Sequence, residues 1–114
     1  MRRGDVYLVD FEPVRGSEAN KVRPAVIVSN NAANRTAEGG RGVVTVVPVT
    51  SNTERVFPFQ ILLPGADCGL AADSKAQAEQ VRSVAAGRLR RRLGTLPPVI
   101  LRRLDDALRT HLAL

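Results

Sequence analysis

The chain has 114 residues, with 17 Lys+Arg against 11 Asp+Glu, one Cys, one His and no Trp, giving a formal net charge of +6. This length predicts one domain over residues 1–114 that buries about two thirds of its unfolded surface, so no disulfide or metal staple is needed. Cys68 and His111 stand alone, which excludes an internal disulfide, a Cys/His zinc site and any nuclease chemistry that needs a pair of histidines.

The first two thirds read as β structure. Val6-Tyr7-Leu8-Val9 is a short apolar run ending at Asp10, and residues 12–22 are polar and turn-rich. Arg23-Pro24-Ala25-Val26-Ile27-Val28-Ser29 has the β-branched content of a buried strand, with Pro24 tolerated at its beginning. Asn30 to Asn34 supplies caps for a short helix. Val43 to Thr50 is the strongest strand signal, and Pro48 within it predicts an edge or a bulge near its end. Ser51 to Arg55 is a loop. Phe57 to Leu63 returns as a strand and stops at Pro64-Gly65. Ser74 to Ser83 is rich in Ala, Gln and Glu and has helical propensity. Thr95-Leu96-Pro97-Pro98 predicts a helix start with Thr95 as the N-cap. Leu101, Leu104, Leu108 and Leu112 then fall on one face of an amphipathic helix. The expected fold class is mostly β with α: a small antiparallel barrel with short helices at its edge and an amphipathic helix at its C-terminus.

Charge is unevenly placed. Residues 1–87 carry ten basic and nine acidic residues, whereas residues 88–114 carry seven Arg and two Asp. A basic patch around Arg88, Arg90, Arg91, Arg92, Arg102 and Arg103 suits a polyanion or an acidic protein partner, and equally a solvated surface. No apolar run approaches the roughly 18 residues of a membrane span. Met1-Arg2-Arg3-Gly4-Asp5 lacks the apolar continuation of a signal peptide, so the cytoplasm is the expected location.

No phosphate-binding Gly loop, Gly-x-Ser-x-Gly elbow or metal-ligand cluster is present. Arg23 opens one predicted strand and Thr50 closes another. If these strands pair antiparallel, the two side chains share one sheet end, where a guanidinium and a hydroxyl can hold a phosphate. On residue types alone, a surface Arg and a strand-end Thr are the commoner explanation. Cys68 reads as a packing thiol, His111 as a polar residue on the helix surface, and Asp5 and Asp10 as turn or hydrogen-bond formers.

Several segments in order resemble the MazF/PemK family of toxin endoribonucleases. They are Arg3-Gly4-Asp5-Val6-Tyr7, Pro13-Val14-Arg15-Gly16-Ser17-Glu18 and Arg23-Pro24-Ala25-Val26-Ile27-Val28, followed by Val47-Pro48-Val49-Thr50-Ser51, Glu79-Gln80-Val81-Arg82-Ser83 and Leu104-Asp105-Asp106-Ala107-Leu108. The resemblance implies an SH3-like barrel of the CcdB/MazF type, a homodimer, no cofactor and no metal. It also implies cleavage of single-stranded RNA to 2′,3′-cyclic phosphate and 5′-hydroxyl ends. It matches the family's active-site Arg to Arg23 and its Thr to Thr50, and places Ser17 and Glu18 in a loop at the active site and Gln80 and Arg82 in the RNA groove. Glu18 is then the candidate acceptor of the 2′-hydroxyl proton. Lys21 lies in the first of the two loops that flank the groove in the family, and Ser51 and Asn52 in the second, Ser51 to Val56; Phe57, just after it, reads as a core or rim hydrophobe ahead of a base-stacking ring at the groove. Ala19-Asn20-Lys21-Val22 replaces a glycine-bearing stretch of some relatives, which predicts a stiffer first loop. By the same resemblance residues 76–83 are expected as a strand in spite of their propensity, followed by a short helix around Ala86–Leu89.

The resemblance implies single-stranded RNA (mRNA, tRNA or rRNA) and a cognate acidic, MazE-like antitoxin as partners, and no membrane. Two other functions fit the same fold class: a gyrase-binding toxin like CcdB, and a non-catalytic nucleic-acid-binding barrel.

Overall fold

The structure is a computed structural model that describes residues 1–11 and 22–114. Its strands are β1 Asp5–Asp10, β2 Val22–Ile27, β3 Val43–Thr50, β4 Gln60–Leu63, β5 Ser74–Gln77, β6 Arg82–Ala85 and β7 Leu89–Thr95, and its α-helices are α1 Asn31–Ala37, α2 Gly65–Cys68 and α3 Pro98–Leu112. The strands form one sheet in the order β4-β5-β3-β2-β1-β7, with β6 also paired to β3. Every strand pairing is antiparallel.

The consecutive apolar residues Ala25-Val26-Ile27 of β2 and Val46-Val47 of β3 are explained by burial on both faces. Ala25, Ile27, Val44 and Val46 pack with Val9, Ala37 and Val84 on one side. Val26, Val47 and Val49 pack on the other with Leu63, Ala76, Ile100 and Leu104. Asn30 caps α1 as expected, its side chain accepting from the Ala33 N–H at 2.8 Å.

β3 is the pivot of the sheet. Its first half, through Val46, pairs with β6, and its last two residues pair with β5. Pro48 falls where this neighbour changes, so a residue without an N–H is accommodated there. The segment expected as one strand over 76–83 is instead β5 and β6 separated by a short 3-10 turn at Ala78–Gln80, closed by the Val81 N–H on the Ala78 carbonyl at 3.1 Å. The register shows why: Val49 pairs with Ala76, yet Val46 pairs with Arg82. Three residues on β3 face six on the partner. The surplus is taken up as a helical turn, where the helix-forming residues of this segment lie.

Three other boundaries differ from expectation. Pro58 and Phe59 form a turn closed by the Gln60 N–H on the Phe57 carbonyl, so β4 begins only at Gln60. Thr95 ends β7 rather than capping a helix. Its hydroxyl donates to the Gly4 carbonyl at 3.3 Å, and α3 starts at Pro98 after Pro97. The Arg-rich run, to which no element was assigned, forms the edge strand β7 on β1, and a 3-10 turn at Ala86–Arg88 occupies the place of the expected short helix.

Helix α3 buries Ile100, Leu104 and Ala107 against the sheet, with Leu101 and Leu108 at the margin, whereas Leu112 is exposed. Leu104 is wholly buried. Leu104→Ala is expected to destabilise the fold by about 2–5 kcal/mol, the usual range for an aliphatic core truncation, measured by denaturant unfolding.

Helix α2 seats against β7 through two glycines. Gly69 has φ of +79°, and a Cβ there would lie 2.2 Å from the Leu93 carbonyl oxygen, while a Cβ on Gly94 would lie 2.5 Å from that of Cys68. This close approach fixes the start of the segment 70–72, which walls the groove described next. Cys68 is buried there, and burial pushes its thiol pKa up, with the Asp67 charge adding to the effect. It is the packing thiol expected.

Candidate active site

The β2–β3 register runs Ile27–Val46, Val26–Val47, Ala25–Pro48. Carried two residues further along each strand, it sets Arg23 opposite Thr50. The pairing assumed from sequence is therefore present, and both residues line one open groove of about 420 Å³. Ser51 continues its rim, and Leu70, Ala71 and Ser74 form the opposite wall. Arg23 is exposed, and no carboxylate among the described residues lies within ion-pair distance of it. Its charge is available to a ligand.

Thr50 is prepared as a donor. Its Oγ1 accepts the Asn52 N–H at 3.2 Å, and the Asn52 Oδ1 accepts the Glu54 N–H at 3.1 Å. With one lone pair occupied by the backbone, the Thr50 hydroxyl proton is left to point at a groove oxygen. Asn52 thus shapes the loop through its side-chain oxygen.

The other expected residues are more dispersed. Arg82 opens β6 opposite Val46, about 13 Å along β3 from Thr50 at strand rise, and its guanidinium lies 5.2 Å from the centroid of the Phe11 ring. Gln80 is exposed at the end of the 3-10 turn. The Phe57 ring stacks on Phe59 at 5.4 Å, with the Arg55 guanidinium 5.2 Å from its centroid, so a stacked base would compete with contacts already made. Ser17, Glu18 and Lys21 lie outside the described residues. Segment 70–72 and Ser74 were not singled out from sequence. They carry no recognisable motif and reach the groove only through the α2–β7 contact and the β5 pairing.

A second groove, of about 520 Å³, adjoins the first through shared residues Pro24, Leu70 and Ala71, and reaches Arg91 and Leu93. Arg90 is paired with Asp10 at 2.6 Å and Arg92 with Asp5 at 3.4 Å. Asp5 and Asp10 are thus the hydrogen-bond formers expected. Of the three successive arginines, Arg91 has no carboxylate partner among the described residues. Arg91→Gln is expected to weaken binding of a polyanion and to lower the log K against log salt slope by roughly one. Arg90→Gln should change that slope less. Titrations at several salt concentrations would check both.

His111 lies exposed on α3, with its ring 6.2 Å from that of Phe59. Among the described residues no three His, Cys, Asp or Glu side chains gather into a metal-ligand cluster, and no helix is long and apolar enough to cross a membrane.

Fold and site together define a small β-barrel protein whose groove presents a cation and a hydroxyl suited to a phosphodiester. Residues 2–112 match the family described as PemK-like, MazF-like toxin of type II toxin-antitoxin system, and the chain belongs to that family. It is 57% identical over 115 aligned positions to the endoribonuclease MazF9 of Mycobacterium tuberculosis, covering 100% of this chain and 98% of that protein. Among solved structures, an endoribonuclease in complex with its cognate antitoxin from a Mycobacterial species superposes with a TM-score of 0.78 at 27% identity, over 100% of this chain and 96% of that one. The MazE–MazF complex of Deinococcus radiodurans gives a TM-score of 0.78 at 27% identity, with coverage of 100% and 96%. The barrel-like fold class expected from the sequence is thereby established.

Proposed function

We propose that this chain is the toxin of a type II toxin–antitoxin pair and a sequence-specific endoribonuclease that cuts single-stranded RNA in the cytoplasm. The observation that carries this reading is the meeting of Arg23 and Thr50 in one groove of a chain similar along its whole length to an endoribonuclease.

The chemistry follows from what this pair can do. In RNA the 2′-hydroxyl is adjacent to the scissile phosphorus and serves as an internal nucleophile. Its oxygen forms a bond to phosphorus while the bond to the 5′-oxygen breaks in line. No external water or metal-bound hydroxide is needed to supply the attacking atom. The protein has to hold the phosphate in that geometry and stabilise the charge that grows on its non-bridging oxygens. Thr50 donates its hydroxyl proton to one such oxygen. Arg23 places a guanidinium fork against the phosphorane charge and can pass a proton to the departing 5′-oxygen. A guanidinium offers five N–H donors and no acceptor, so Arg23 does not act as the base. Glu18 takes the 2′-hydroxyl proton. Glu18→Gln is accordingly expected to lower the single-turnover rate by about 10²-fold, the low end for loss of a positioned general base, measured by quenched-flow cleavage. Ser17, Lys21, Ser51, Asn52, Phe57, Gln80 and Arg82 are the residues offered to the flanking nucleotides.

The working form is a homodimer, and a cognate acidic, MazE-like antitoxin is its inhibitor. Two of the solved relatives are complexes with an antitoxin, one described as cognate and one as MazE. The basic balance of this chain suits RNA and an acidic antitoxin segment alike.

One experiment tests the reading: purified protein is mixed with a long single-stranded RNA and with matched DNA, in EDTA, and separately with DNA and gyrase. Cuts in RNA at a short recurring sequence, lost in Arg23→Ala and in Thr50→Ala, are expected. Gyrase-dependent DNA breaks without RNA cleavage, or binding of RNA without cutting, would each overturn it.

A further inference from the structure

Lys75 has no part in the mechanism above. Only 7% of the residue is exposed, although a lysine is rarely so buried without a charged partner. Its Nζ donates to the Arg55 carbonyl oxygen in the loop that follows Thr50. No carboxylate among the described residues lies within ion-pair distance. An ammonium has three donors and a full charge, and one carbonyl compensates neither completely.

Its place in the sheet supplies the reason. Lys75 is the register partner of Thr50 across β3 and β5. Thr50 and the chain neighbour Ser74 line the groove, and Lys75 lies behind that lining. Because the β2–β3 register sets Arg23 on the other side of Thr50, Arg23, Thr50 and Lys75 form one cross-strand row, cation–hydroxyl–cation, on three adjoining strands. Adjacent strands lie about 4.8 Å apart, so the two cationic residues flank Thr50 one strand away on either side. Burial makes the Lys75 charge less subject to screening by salt than that of Arg23.

We propose that Lys75 is a positioning residue of the cleavage site: its buried ammonium is a fixed positive charge behind Thr50, and the scissile phosphate is the counter-ion that the fold leaves out. The inference rests on the ribonuclease reading of the groove. It differs from a purely mechanical role, in which Lys75 would merely fasten the 51–59 loop through the Arg55 carbonyl.

Two variants of the full chain separate these roles. Lys75→Gln keeps a donor for the Arg55 carbonyl and removes the charge, whereas Lys75→Arg keeps the charge. Each is checked for its thermal unfolding transition. Each is then titrated, over a range of salt, with a single-stranded RNA oligonucleotide carrying a 2′-deoxy residue at the scissile position, and assayed for single-turnover cleavage of the all-ribose oligonucleotide. Lys75→Arg is expected to cleave within about threefold of wild type, since the charge is retained. Lys75→Gln is expected to cleave about tenfold or more slowly, as befits loss of a unit charge from a partly desolvated site. Its log K against log salt slope should fall by roughly one. A folded Lys75→Gln with wild-type rate and slope would overturn the proposal, as would rescue by Gln and not by Arg.

If Lys75→Gln does not fold, the wild-type protein decides. Lys21 and Lys75 are the only lysines, so a ¹⁵N-lysine-labelled sample gives just two side-chain ammonium signals. The Lys75 signal should shift when the deoxy-substituted oligonucleotide is added, and a signal that stays in place would overturn the proposal. Wild-type protein that binds RNA without cutting it removes the ribonuclease reading, while the slope and ammonium measurements still judge the charge. Protein that neither binds nor cuts RNA overturns both.

Discussion

Arg23→Ala is expected to slow single-turnover RNA cleavage at saturating protein by about 10²–10³-fold, the loss typical when one preorganised donor to a developing oxyanion is removed. The thermal unfolding transition should be unchanged. Arg23 is exposed at the start of β2 and makes no ion pair among the described residues, so its truncation leaves no buried group unpaired. Thr50→Val keeps the β-branched shape that suits the end of β3 and removes the hydroxyl alone. It should lower the same rate by about 10²-fold and leave β3 intact. Because both donors act on one phosphate, the double variant should lose less than the sum of the single losses in free energy. Strict additivity would mean that the two residues act on separate groups. A rate loss accompanied by a fall in the unfolding temperature would instead assign Arg23 a structural role.

A single 2′-deoxy substitution at the scissile residue is expected to abolish cleavage while leaving affinity nearly unchanged. The phosphate that Arg23, Thr50 and the basic groove engage is still present, and salt-dependent attraction to phosphates supplies most of the non-specific affinity. Only the nucleophile is gone. The remaining nucleotides should stay uncut, since recognition directs attack to one position. Cleavage of the deoxy-substituted strand at the usual position would show that the nucleophile comes from outside the RNA. Loss of binding together with cleavage would show that the groove reads the 2′-hydroxyl itself, which RNA-binding proteins can do.

Much of this site could be read from the sequence because strand runs and punctuation carry it. Ala25 to Ile27 and Val46 to Val47 are apolar without alternation, and the structure buries them on both faces of the sheet. Pro48 marks the place where β3 changes neighbours, and Asn30 marks the start of α1. Arg23 and Thr50 were placed together only on an assumed pairing, which the register supplies. The Arg-rich run gave no strand signal because β7 is an edge strand with two register shifts against β1, so its exposed residues do not alternate. Arg90 is held by Asp10 and Arg92 by Asp5 across that edge, a match visible only once β1 and β7 are side by side. The turn at Ala78–Gln80 depends on two strands sharing one side of β3, which no local pattern states. Lys75 was equally hidden: in sequence it is one of two lysines, and its burial and its row with Thr50 and Arg23 appear only through the register. Ser17, Glu18 and Lys21 rest on the family resemblance, being outside the described residues.

The central claim is that Arg23 and Thr50 assist attack by the RNA's own 2′-hydroxyl. Its most direct test is the mass of the two fragments released from a defined single-stranded RNA in EDTA. An upstream fragment ending in a 2′,3′-cyclic phosphate and a downstream fragment beginning with a 5′-hydroxyl are predicted. A 5′-phosphate on the downstream fragment with a 3′-hydroxyl upstream would contradict the claim, because those ends require water to attack phosphorus from the other side.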